Sequence, residues 1–117
     1  MVICIDEISE IPIYKQIRNQ IVLGISDGRL QPGEQLPTVR ALAEEIGINS
    51  VNKAYALLKQ EGYIVTDRRN GARIRNEFDQ GKYLSQTSLD NLQQIISEAN
   101  IRGFSKEEFF QLCEKYF

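Results

Sequence analysis

Apolar residues in the first half of the chain recur at helical spacing in three runs separated by turn signals. Tyr14, Ile17, Ile21 and Ile25 fall on one face of a helix that opens at Pro12 and closes near Asp27-Gly28, with Lys15, Arg18 and Asn19 between them. Pro12 suits the first turn because its missing N–H would have no helical partner there. Gln31-Pro32-Gly33-Glu34 predicts a type II turn, since proline presets the first dihedral and glycine accepts the positive φ that follows. Thr38 is placed to cap a second helix of about two turns. Its buried face is Leu42, Ala43 and Ile46, and Gly47 is placed to end it in the left-handed conformation. Ser50 is placed to cap a third helix. In it Val51, Ala54, Tyr55 and Leu58 face the core, while Asn52, Lys53, Ala56, Lys59 and Gln60 stay outside until Glu61-Gly62 stops it.

Strand signals are shorter. Ile3-Cys4-Ile5 predicts a brief strand, and Tyr63-Ile64-Val65 and Ala72-Arg73-Ile74 predict a hairpin around Arg68-Arg69-Asn70-Gly71, whose Asn-Gly pair is a strong turn signal. Beyond it, a polar connector from Phe78 to Thr87 leads to two further helices. One carries Leu89, Leu92, Ile95, Ile96 and Ala99; the other carries Phe109, Leu112, Cys113 and Tyr116 and opens on a capping box of Ser105 and Glu108. The expected fold class is therefore mostly α with a small β-hairpin. A winged helix-turn-helix spans residues 1–76, followed by a two-helix C-terminal tail over residues 77–117.

The net charge of −2 over 117 residues argues against a polyanionic partner until its distribution is considered. Lys53, Lys59, Arg68, Arg69, Arg73 and Arg75 crowd one stretch against Glu61 and Asp67 alone, whereas the chain after Asn76 is acidic. A local basic patch outweighs the total. No apolar run approaches the ~18 residues of a membrane span, and Met1 to Ile5 is too short for a signal peptide, so a cytoplasmic protein is expected. Cys4 and Cys113 read as free thiols, and with no histidine present a zinc site is not expected. No phosphate-binding glycine loop or nucleophile elbow occurs, so neither an enzyme nor a cofactor is expected.

A winged helix places its third helix in the major groove and its hairpin along the backbone. Asn52 and Lys53 are then available to base edges or phosphates, and Arg68 and Arg69 to phosphates or a minor groove. The helix N-termini at Thr38 and Ser50 would add N–H donors to phosphates. Three ordered blocks, Leu36-Pro37-Thr38-Val39-Arg40-Ala41-Leu42-Ala43, Val51-Asn52-Lys53-Ala54-Tyr55 and Glu61-Gly62-Tyr63-Ile64, resemble the GntR family of bacterial regulators from about Pro12 to Ile74. By that resemblance Arg40 touches the DNA backbone and Ser50, Asn52 and Lys53 read bases. The candidate contact set is Thr38, Arg40, Asn49, Ser50, Asn52, Lys53, Arg68, Arg69, Asn70 and Gly71.

Two positions depart from the family pattern. Arg69 stands where the wing usually has its first glycine, which adds a cation to the tip. The turn is two residues short between Asn49 and Ser50. That reads either as a true deletion or as residues left out of the sequence as written; the second reading is taken, and it requires a break there. The tail resembles that of the YtrA-like branch. The resemblance implies a homodimer held by the C-terminal helices on palindromic double-stranded DNA, acting as a repressor of operons for membrane transporters. About forty residues cannot bury a core alone, so their apolar stripes also call for a partner. Two other classes stay open: a winged-helix module that binds protein, distinguishable by weak salt dependence, and a sensor with a small-metabolite effector of unknown identity.

Overall fold

The computed structural model describes residues 3–69 and 71–117. Two compact units divide at Phe78 and Asp79. In the first, helices α1 (Ile13–Ser26), α2 (Val39–Ile46) and α3 (Ile48–Gln60) precede an antiparallel hairpin of β1 (Ile64–Asp67) and β2 (Gly71–Ile74). Pro12 is the residue before α1, and its carbonyl accepts from the N–H groups of Lys15 and Gln16. The type II turn forms as expected, with Gly33 at φ 78° and the Glu34 N–H 3.0 Å from the Gln31 carbonyl.

The core is the set of apolar positions that the periodicity marks. Ile17 and Ile21 of α1, Leu42 of α2, Val51, Ala54, Tyr55 and Leu58 of α3, and Ile64, Ala72 and Ile74 of the hairpin are buried together with Leu30 and Leu36. Side chains alternate across the hairpin, so Ile64 and Ile74 form an inner pair, while Val65 and Arg73 form a pair on the opposite face. The segment before α2 lies along the outer edge of β2, with Leu36 N–H to the Ala72 carbonyl and Ile74 N–H to the Glu34 carbonyl at 2.9 and 2.8 Å. That edge is therefore occupied.

Four expectations need correction here. Residues 3–5 do not form a strand. Two glutamines of α1 supply what a strand partner would: Gln20 Oε1 accepts from the Cys4 N–H and its amide donates to the Cys4 carbonyl, while Gln16 does the same for Asp6 and also reaches the Ile11 carbonyl. Ser50 does not cap α3, because the helix already begins at Ile48 and Val51 N–H reaches the Gly47 carbonyl at 3.3 Å. The same continuity carries α3 through Asn49 and Ser50 without a break, so the turn itself is short. Gly47 alone joins α2 to α3. Its φ of 107° is positive, but its ψ of 138° lies well outside the left-handed helical well, in a region open essentially to glycine.

The second unit contains α4 (Gln86–Ile101) and α5 (Lys106–Glu114). Ser85 caps α4, and the Ser105–Glu108 capping box opens α5 as expected. The Ser105 N–H holds the Glu108 carboxyl below its ordinary range. Neither helix has a buried residue. Cys4 and Cys113 are free thiols.

Candidate nucleic-acid interface

Thr38 caps α2 as expected, its hydroxyl accepting from the Ala41 N–H at 3.0 Å. Through that cap the start of α2 is fixed against α3, because the Tyr55 hydroxyl donates to the Pro37 carbonyl at 2.8 Å. Tyr55 is buried as a whole and its hydroxyl is spent on this bond. Burial pushes its pKa up to about 12, so it stays a neutral donor. At the C-terminal end of α3, Arg18 of α1 grips Glu61 through two hydrogen bonds of 2.9 and 3.0 Å and stands 5.7 Å from the Tyr63 ring centre. The hydrogen bonds to Glu61 raise the Arg18 pKa further. α3 is thus tied at its middle to the start of α2 and at its C-terminal end to α1, and its other side is left exposed.

On α3, successive residues are about 100° apart around the axis. Asn49 and Gln60 point farthest from the core, Asn52, Ala56 and Lys59 lie to one side of them, and Lys53 lies to the other; all six are exposed. The flank holding Asn52 forms a cleft of about 340 Å³ with the start of α2 and the hairpin. Thr38, Val39, Asn52, Tyr55, Ala56, Lys59, Thr66, Gly71 and Ala72 line it. Lys53 does not join this cleft. Its ammonium sits 4.8 Å from the Tyr14 ring centre, drawn to the α1 side by the negative face of the ring.

Of the residues singled out from sequence, Thr38, Asn52 and Gly71 are therefore brought together, and Lys53 stands on the other flank of the same helix. Asn49 is exposed at the first turn of α3, and Ser50 is half-buried. Arg40, Arg68 and Arg69 are exposed. Among the described residues the ion pairs are Arg18–Glu61 and Arg29–Asp27, and Arg40 belongs to neither. Asp67 Oδ1 accepts from the Arg69 N–H at 2.9 Å and shapes the loop after β1, while Gly71 closes it at φ 68°. Asn70 lies outside the described residues. Arg73 and Arg75 line a separate depression with Val65 and Glu77 on the opposite face of the hairpin.

Ala56, Lys59, Thr66 and Ile48 lie outside the contact set expected from sequence. The first two carried a signal, since they follow Asn52 at i+4 and i+7 on the same flank. Ile48 carries none, because Ser50 has the chemistry of a cap and would begin the helix after it. With α3 starting at Ile48, the N–H groups of Ile48, Asn49 and Ser50 precede the first bond made within the helix.

Residues 13–74, the three helices and the hairpin, match the model for bacterial regulatory proteins of the gntR family. The chain belongs to the GntR family. It is 34% identical over 111 residues to the HTH-type transcriptional repressor YtrA of Bacillus subtilis, covering 92% of this chain and 85% of that one. Among solved structures it is similar to YtrA from Sulfolobus acidocaldarius, a GntR-family transcription factor, at 36% identity and a TM-score of 0.66 over 86% of this chain and 99% of the other. A protein described as a transcriptional antiterminator from Listeria monocytogenes matches at 31% identity and a TM-score of 0.84 over 99% and 90% of the two chains. The chain is thus a YtrA-like, DNA-binding transcription regulator of this family and not an enzyme. No helix among the described residues is long and apolar enough to cross a membrane.

Proposed function

We propose that this GntR regulator is a repressor that binds a palindromic operator as a homodimer, with α3 in the major groove and the Arg68-Arg69 loop on the flanking backbone. The observation that carries the reading is the cleft shared by the α2 cap, the Asn52 flank of α3 and the hairpin, in the same unit as the exposed cations Arg40, Lys53, Lys59, Arg68 and Arg69. In this arrangement Asn52 hydrogen-bonds a base edge, while Arg40, Lys53 and the wing arginines neutralise phosphates. The acidic tail takes no part in phosphate contact.

Dimerisation rests on the second unit. Leu89, Leu92 and Ile95 of α4 are 44, 43 and 51% exposed, and Phe110 of α5 is 56% exposed. Apolar rows of this kind on two helices with no buried residue are stabilised by a second copy, and two-fold symmetry then matches a palindrome. The genes controlled are those of a membrane transporter, as the resemblance to the YtrA-like branch implies. The test is selection of bound duplexes from a random library by the full chain, followed by footprinting. Inverted half-sites about one helical turn apart are expected. Recovery of unrelated sequences, or of single unpaired half-sites, would overturn the dimeric operator reading.

A further inference from the structure

Ile48 is the first residue of α3 and is 57% exposed, at the end of the helix that the proposed function points at base edges. An aliphatic side chain is an unusual occupant of such a place, because it can neither donate nor accept a hydrogen bond. Ile48, Asn52 and Ala56 succeed one another at i, i+4 and i+8, so they form one row along the exposed side of the helix. The row is apolar, amide, apolar.

We infer that the row Ile48–Asn52–Ala56 makes this protein a reader of A·T pairs, with the two apolar side chains packed on thymine methyl groups and the Asn52 amide bonded to an adenine between them. This rests on the proposed function, since it needs α3 in the major groove. The chemistry of that groove leaves few alternatives. The thymine C5-methyl is the only apolar group that base pairs present there, and Asn pairs in two-point fashion with the N6 and N7 of adenine. A G·C pair presents no methyl group there, and covering it with Ile48 would strip water from N7, O6 or N4 without replacing its hydrogen bonds. Discrimination thus arises partly from attraction to A·T and partly from a penalty against G·C.

The short turn is what places Ile48 there. Gly47 is the only residue between α2 and α3, so the chain turns directly into the helix and leaves no further polar residue ahead of the first turn. Ala56 matters through its size. Exposed and lining the cleft beside Asn52 and Thr66, it leaves room for a methyl group that a longer side chain would fill.

The test replaces single thymines by deoxyuridine in the duplex selected by the full chain, which removes one methyl group and no hydrogen-bonding atom. Losing a buried methyl should weaken binding about three- to fivefold at each contacted thymine. In Ile48→Ala the penalty at its own thymine should shrink towards none while that at the Ala56 thymine persists, and circular dichroism checks that the exposed substitution leaves the fold intact. Indifference to uracil throughout the half-site, or selection of G·C pairs at the positions footprinted under α3, would overturn this inference and leave the regulator reading standing. Failure to bind any duplex would overturn both.

Discussion

Tyr55 and Gly47 set the position of α3, and each makes a separate prediction. The Tyr55 hydroxyl satisfies the Pro37 carbonyl just ahead of the α2 cap, so Tyr55→Phe should cost about 1 kcal/mol at neutral pH in urea unfolding by leaving that acceptor without its partner. Its pKa is raised in the fold from 10.0 to about 12. The neutral phenol is the form the fold favours, so its stabilisation is complete below pH about 10 and is lost as pH rises towards 12. Wild type should therefore lose stability more steeply than Tyr55→Phe across that window, and parallel pH profiles would contradict the burial assigned to this group. At Gly47 nothing lies within 4 Å of where a Cβ would stand, so a substitution there meets open space. The cost of Gly47→Ala is then purely one of backbone conformation, about 1–3 kcal/mol at φ 107°. Thermal unfolding measures it, and an unchanged midpoint would mean that the joint between α2 and α3 is not held as described.

At the scale of elements, the three helices were legible because each buries one stripe and the stripe repeats with helical period. Tyr14, Ile17 and Ile21, and later Val51, Ala54, Tyr55 and Leu58, show this without knowledge of their partners. The hairpin was legible through its turn residues. The N-terminal segment was not, because its hydrogen bonds come from the side chains of Gln16 and Gln20, and a glutamine on a helix face has no pattern that announces a distant backbone partner. The start of α3 is hidden for a different reason. Ser50 has the chemistry of a cap, but Gly47 had already reversed the chain, and geometry took precedence over capping preference. Of the candidate site, Thr38, Asn52 and Gly71 were recoverable from sequence, whereas the separation of Lys53 onto the Tyr14 flank depends on a ring contact that spacing does not reveal. The hairpin carries its own prediction. Changing Arg68 and Arg69 together to alanine should weaken binding to all duplexes about equally and flatten the salt dependence, as lost phosphate contacts do. A change confined to one sequence would instead make the loop a base reader.

On the scale of the whole molecule, the division at Phe78 separates a unit with its own core from one without buried residues. Phe78 belongs with the first, its ring 6.4 Å from that of Tyr63. Ending the chain after Phe78 should therefore leave a folded winged helix that sediments as a monomer and binds a single half-site weakly, while the full chain sediments as a dimer. A monomeric full chain would remove the tail from the assembly.

If a local set of cations engages the DNA backbone, it does so on a chain whose net charge is −2, and binding must show it. The most direct test is the affinity of the full chain for its selected duplex as salt is raised. Log affinity should fall steeply and linearly with log salt concentration, with a slope of magnitude about 0.9 for each phosphate neutralised by Arg40, Lys53 and the wing arginines. Affinity that holds constant from low to physiological salt would contradict it.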